Sequence, residues 1–239
     1  TPNLEPFHGE TYVPPMYFRA LIKSVHQTWI TQPDKITRTS QKITQLLRDG
    51  IPVEKENSVV EASILEKGYR TIRSGFDRTF GGFGIGNKFP RPVVFNFLLR
   101  YQRSQEEEQA LYMVITTLRR IAAGGIFDQL GGGFHRYSVD QQWRVPHFEK
   151  MLYDQAQMVN SYLDAYQVTQ DELFGSIARK TLEYVNRHLR HETGGFYSAE
   201  DSESVPDPSR PLQKREGAFY VWTSAEIDRV LGTNRSPIF

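Results

Sequence analysis

Asp77–Phe83 reads D-R-T-F-G-G-F and Asp128–Phe134 reads D-Q-L-G-G-G-F, one D-x-x-x-G-G-F pattern written twice, and Gly194-Gly195-Phe196-Tyr197 echoes its second half. Copies set roughly 50 to 60 residues apart suit one helical hairpin each, with neighbouring hairpins stacked to bury a shared core. The glycines are expected at positive-φ turn positions, which glycine adopts at little steric cost. They do not form a phosphate loop, because G-x-x-x-x-G-K-[ST] is absent and Gly131-Gly132-Gly133 follows no Rossmann-type strand.

Outward from the repeat, apolar periodicity predicts helices. One is expected to start at Ser104, capping with Glu107, and to run through Leu111, Val114, Ile115, Leu118 and Ile121 to Gly124-Gly125. Acids at its start and Arg119-Arg120 at its end suit the helix dipole. Two more are expected over Pro146–Val168 and Glu172–Leu189, packed as a hairpin across Thr169-Gln170-Asp171. Upstream, Tyr17–Trp29 and Pro33–Leu47 read as helices, and the proline-rich residues 1–15 as a strand or hairpin piece. Gly50–Asn57, with Pro52 and several charges, reads as a linker separating a unit over 1–49 from one over 58–239.

The chain has 239 residues, 38% hydrophobic and 24% charged, enough for one large domain, alone or with a fragment of another. No apolar run approaches the roughly 20 residues that cross a bilayer, and there is no signal-peptide stretch at Thr1-Pro2-Asn3. The 29 basic and 28 acidic residues are spread along the chain, so neither nucleic acid nor an acidic membrane is an expected partner. A complete lack of cysteine excludes disulfides, thiolate nucleophiles, Cys-ligated zinc and Cys-x-x-Cys redox motifs from these residues. Both ends read as cuts through a longer protein; compartment and oligomeric state are left open.

The run GGIFDQLGGGFHRYSVDQQWRVPHFEKMLYDQA from Gly124 resembles the signature of the spermatogenesis-associated protein 20 family. GGFGIGNKFPRP from Gly81, GGFYSAEDSES from Gly194 and KREGAFYVWT from Lys214 agree with it, in the family's order. The resemblance implies a mainly α fold: a partial (α/α)6 toroid of helical hairpins, like those of six-hairpin glycosidases and N-acylglucosamine 2-epimerases, preceded by the C-terminal remnant of a thioredoxin-like domain. Residues 1–49 are the implied remnant and 58–239 an incomplete toroid of about three hairpins. The family's cysteine motif would lie upstream. Departures from the family pattern fall at Glu10, Asn87 and Glu203.

The candidate chemistry sits in the loops. His135, His147, Glu149, Glu200 and Asp201 are the expected catalytic groups, since His and carboxylates move protons near neutral pH. Lys88 and Arg136 are expected to hold charged or hydroxyl groups of a ligand. Phe89, Tyr137, Trp143, Tyr197 and Trp222 are expected to stack on its apolar faces. The mixture suits a sugar or similar small polar metabolite, by two-carboxylate glycoside hydrolysis with Glu149 and Glu200–Asp201 or by His-based epimerisation. His147, just after Pro146 at an expected helix start, is expected to stay neutral there and so able to accept a proton from substrate. Structural alternatives stand beside these: Pro146 starting a helix with Glu149 at its dipole, Lys150 paired with Asp154, and a solvated acidic turn at Ser198–Glu203. A non-catalytic scaffold, or a redox-linked regulatory protein associated with spermatogenesis, is the competing reading. The histidines lack metal-ligand spacing, so neither a metal nor a cofactor is expected.

Overall fold

The computed structural model describes residues 1–50, 61–232 and 234–238, so the expected linker lies outside the described residues apart from Gly50. Two compact units divide at Thr1–Val60 and Glu61–Phe239.

In the first unit α1 (Pro15–Thr31) and α2 (Pro33–Gly50) pack together. Proline at the first position starts each helix at no hydrogen-bond cost. Ile36 and Ser40 of α2 are buried, and the Ser40 hydroxyl donates to Glu5 at 3.2 Å. The hairpin expected over 1–15 does not form: residues before α1 make no strand, consistent with prolines that lack the N–H a ladder needs.

The second unit is built from α3 (Ser63–Ser74), α4 (Pro92–Gln105), α5 (Glu108–Ala123), α6 (Leu152–Thr169), α7 (Glu172–Tyr184) and α8 (Ser224–Leu231). Helices α6 and α7 pair most extensively, while α4 packs on both α5 and α6 and α3 on both α4 and α5, a layered arrangement of hairpins. Their inward faces meet in one core that includes Phe95, Leu98, Met113, Val114, Leu118, Met158, Tyr162 and Phe174. Each such side chain contributes about 1.5–3 kcal/mol by leaving water.

Two expected helix starts move. Ser104 lies inside α4, whose apolar run from Phe95 to Tyr101 continues to Gln105. Glu106 then breaks the chain at φ 55°, and Glu107, accepting from the Gln109 N–H, caps α5. Likewise α6 starts at Leu152 and not Pro146, because 146–151 is extended: proline pushes Val145 out of the helical region, and the strands that follow find partners on both sides. Strand β1 (Tyr137–Ser138) pairs with β2 (Pro146–His147), β3 (Lys150–Met151) with β4 (Ala199–Glu200), and β5 (Glu203–Ser204) with β6 (Arg215–Glu216), all antiparallel.

The repeat is a repeat in space. In the first copy Asp77 Oδ1 accepts from the Thr79 and Phe80 N–H groups, and Lys88 Nζ reaches Asp77 Oδ2 at 2.5 Å and the Gly81 carbonyl at 2.6 Å. In the second Asp128 Oδ1 accepts from Leu130 and Gly131, and Lys150 Nζ reaches Asp128 Oδ2 at 2.8 Å and the Gly132 carbonyl at 2.9 Å. The second glycine of each pair has positive φ, 82° at Gly82 and 78° at Gly133. A Cβ there would strike Trp143 in one copy and Tyr184 in the other. Lys88 pairs through its backbone with Ser138, and Lys150 with Glu200.

Candidate functional site

The second copy of the loop opens into a cleft of about 410 Å³. Lys88 is closed over by Trp143, which is fully buried and donates its indole N–H to the Phe80 carbonyl at 3.0 Å. Around Lys150 the covering rings are tyrosines, Tyr184 at 4.4 Å and Tyr220 at 5.1 Å. Asp128, Lys150, Tyr184, Glu200, Asp201 and Tyr220 line the cleft, together with Gly131, His188, Ser204 and Phe219. Tyr184 donates to Glu200 Oε2 at 2.5 Å. Burial and then the Glu200 carboxylate push the Tyr184 phenol far above its ordinary range, so it stays a donor. Burial pulls the Lys150 ammonium down, against the opposing pull of Asp128. Burial alone would raise the Asp128 carboxyl, yet Lys150 and the Gly131 N–H outweigh it and hold it below the usual range. Asp201 is exposed, its carboxyl held low by the Glu203 N–H and then by Lys214.

A second group gathers on β1, β2 and the start of α6. Phe89 stacks on Tyr137 at 4.5 Å and Tyr137 on His147 at 5.0 Å. Arg136 lies against Phe89 and Tyr153, and one of its nitrogens reaches both oxygens of Asp154, at 2.9 and 3.1 Å. Burial lifts Asp154 to about 6, Arg136 opposing and Glu149 adding. His147 Nδ1 sits 2.6 Å from Glu216 Oε1, and its Nε2 3.7 Å from Glu149.

The expected residues therefore divide. Phe89, Arg136, Tyr137, His147 and Glu149 come together in this second group, whereas Glu200 and Asp201 line the cleft. Glu149 is not among the cleft's lining residues, whereas Glu200 is. His135 does not line the cleft; it is 2% exposed, Nδ1 donating to the Phe148 carbonyl at 3.0 Å. Burial, then the Lys150 charge, lowers it to about 4, so it is neutral and closed off from a ligand. Lys88 and Trp143 are likewise buried and partnered, which replaces their expected ligand contacts with the loop lock described above. Tyr197 stands edge-on to His191 and is not among the cleft's lining residues. Trp222 lines an apolar hollow with Leu130, Ile227, Val230 and Leu231.

His147 is not at a helix start, so no helix dipole acts on it. The expected Lys150–Asp154 pair is also absent: extended backbone at 150 sends Lys150 to Asp128 and leaves Asp154 to Arg136. Asp128, Lys150, Tyr184, Tyr220, Asp154 and Glu216 join these groups without being expected site residues. Asp128 is the first letter of the repeat, which was the available signal. Lys150 was hidden because the loop between Phe134 and β3 lengthens its spacing from Asp128 relative to Lys88 from Asp77. Among the described residues no three of His, Asp and Glu are placed to hold a metal ion, and no helix is long and apolar enough to cross a membrane.

No family model matches the chain. Spermatogenesis-associated protein 20 from Homo sapiens is 41% identical to it over 97% of the chain and 31% of that protein. The Mus musculus protein of the same name gives the same figures, 41%, 97% and 31%. An uncharacterized protein from Caenorhabditis elegans is 34% identical over 98% of the chain and 33% of its own length. The chain thus spans about a third of the length of the curated relatives it matches. Among solved structures, a sugar epimerase from a ruminal bacterium superposes with TM-score 0.52 at 15% identity, covering 73% of this chain and 48% of that one. A family 76 glycoside hydrolase (mannosidase) from Bacteroides thetaiotaomicron gives TM-score 0.50 at 13% identity, covering 74% and 50%. At such identities the likeness is one of fold, and the fold is mainly α, part of an α/α toroid.

Proposed function

The chain belongs to the spermatogenesis-associated protein 20 family over the segment it matches, and from that premise we propose that it binds a sugar or similar hydroxylated metabolite in the Lys150–Glu200 cleft, with Glu200 moving protons there. The observation that carries this reading is the Tyr184–Glu200 contact at 2.5 Å on the wall of an open cleft. A carboxylate that accepts from a phenol locked in its protonated form is a base with a donor already beside it. Tyr220 and Phe219 supply ring faces for apolar sugar faces, and Asp201 supplies a second carboxylate for hydroxyl contacts. The fold shared with a sugar epimerase and a mannosidase supports the ligand class by analogy alone. A scaffold role is the second reading, favoured by the burial of His135, Lys88 and Trp143 among partners that knit the loops.

The test is a thermal-shift screen of the full-length protein against free sugars, sugar phosphates and nucleotide sugars. A ligand at a hundred times its Kd stabilises by about 2.7 kcal/mol, which moves the melting temperature measurably. At least one neutral sugar is expected to do so in the wild type and to lose the effect in Glu200→Gln and Tyr184→Phe. If no compound shifts the transition, or both variants respond like the wild type, the cleft is not the site.

A further inference from the structure

The β5–β6 hairpin stands between the two groups. One side gives Ser204 to the cleft, and the chain just past β6 gives Phe219 and Tyr220. From the other side Glu216 reaches His147. Most of the hairpin's polar bonds close on itself: Lys214 to Asp201 at 3.1 Å, the Gly217 N–H to the Ser202 carbonyl at 2.9 Å, and the Phe219 N–H to Ser204 Oγ at 2.8 Å. Among the described residues, Glu216 is the one member of 201–222 that hydrogen-bonds outside that stretch. Its Oε1 accepts from His147 Nδ1 at 2.6 Å and from the Phe148 N–H at 3.4 Å. The remaining hold is through the Tyr220 ring, stacked on Phe148 at 5.4 Å, edge-on to His135 at 4.8 Å and facing the Lys150 ammonium at 5.1 Å. His147 does not line the cleft, and its ring is fixed from behind by Tyr137.

We propose that His147 and Glu216 are positioning residues for the cleft: their bond fastens the β5–β6 hairpin to β2, and the fastened hairpin holds Ser204, Phe219 and Tyr220 as the cleft's outer wall. The wall presupposes the cleft reading above, but the fastening does not, and the two are tested separately. A histidine whose work is to hold a carboxylate through Nδ1–H is replaceable by a side chain that presents an N–H at the same place. Asparagine's amide nitrogen approximates Nδ1, whereas that of glutamine approximates Nε2. A proton-transferring histidine is replaceable by neither.

Trypsin cleavage after Lys214 and Arg215 in the full-length protein reads the fastening without any ligand. His147→Leu, His147→Gln and Glu216→Leu are expected to speed that cleavage about five- to tenfold, the scale set by losing a charge-assisted hydrogen bond at a partly exposed site. His147→Asn and the neighbouring control Glu149→Gln are expected to stay within about twofold of the wild type, a spread smaller than the loss of one hydrogen bond. Far-UV circular dichroism and melting temperature check that each variant is folded. Equal cleavage in wild type, His147→Leu and Glu216→Leu overturns the fastening. Loss of protection in His147→Asn as large as in His147→Leu overturns the Nδ1 role. If the fastening holds while the sugar screen is empty, the cleft reading fails and the latch stands.

Discussion

At the scale of the residue, burial decides what a titratable group does. His135 and His147 are equal candidates in the sequence, yet the fold drives the first to about 4 by burial and hands the second to Glu216. For His135 the linkage has a definite sign. Its ordinary value is 6.5 and its folded value about 4, so between these pH values the unfolded chain binds more protons than the native one. Stability is then full above 6.5 and is lost as pH falls toward 4, a loss of about 2 kcal/mol between pH 8 and pH 5. His135→Asn keeps a donor for the Phe148 carbonyl but does not titrate. Urea unfolding at pH 8 and pH 5 is expected to show that extra loss in the wild type and not in the variant. Equal losses in both would mean that His135 is hydrated in solution and free to take a proton. The sequence made the second group legible because Arg136, Tyr137, His147 and Glu149 are near neighbours along the chain. Of the cleft, Glu200 and Asp201 are legible as a local acidic cluster, whereas Asp128, Lys150, Tyr184 and Tyr220 meet through pairings that cross many residues, and no local pattern marks such meetings.

At the scale of the element, the repeated loop is a rigid part used twice with different surroundings. Apolar spacing made α1, α2, α6 and α7 readable, and the D-x-x-x-G-G-F pattern made the loops readable. Helix starts were not, because a capping signature at Ser104 was overridden by the packing of α4, and Pro146 opens a strand as readily as a helix. What the pattern could not show is that each aspartate needs a lysine supplied from farther along the chain. Both lysines are buried, each 1% exposed in its side chain, while Asp77 and Asp128 are partly exposed, at 20% and 13%. Removing one partner of such a pair leaves an uncompensated charge, at a cost of about 3–5 kcal/mol. Lys88→Met and Lys150→Met are each expected to lose that much in chemical denaturation. Asp77→Asn combined with Lys88→Met should recover part of it, because asparagine still accepts from the Thr79 and Phe80 N–H groups without the charge. A loss below about 1 kcal/mol in Lys88→Met would place the pair with ordinary surface ion pairs and remove it as the loop's lock.

At the scale of the molecule, the apolar core belongs to one unit. Every member of the main buried cluster, from Tyr69 to Ala178, falls within Glu61–Phe239. The described part of Thr1–Val60 buries little: Ile36 and Ser40 are its fully buried residues, and on α1 Met16, Tyr17, Phe18, Ile22 and Ile30 are exposed. A chain of about 60 residues with so small a core lies at the margin where burial barely offsets conformational entropy. Gly50 and Pro52 place the expected boundary at 50–57, while compactness divides the chain after Val60. We expect a polypeptide of residues 61–239 to keep a cooperative melting transition within a few degrees of the parent chain, and residues 1–60 alone to melt without one. Scanning calorimetry and far-UV circular dichroism on both pieces decide it. A 61–239 piece that unfolds gradually would show that its toroid segment draws stability from the first unit, whereas a cooperative transition in 1–60 would show that its two helices bury enough to fold unaided.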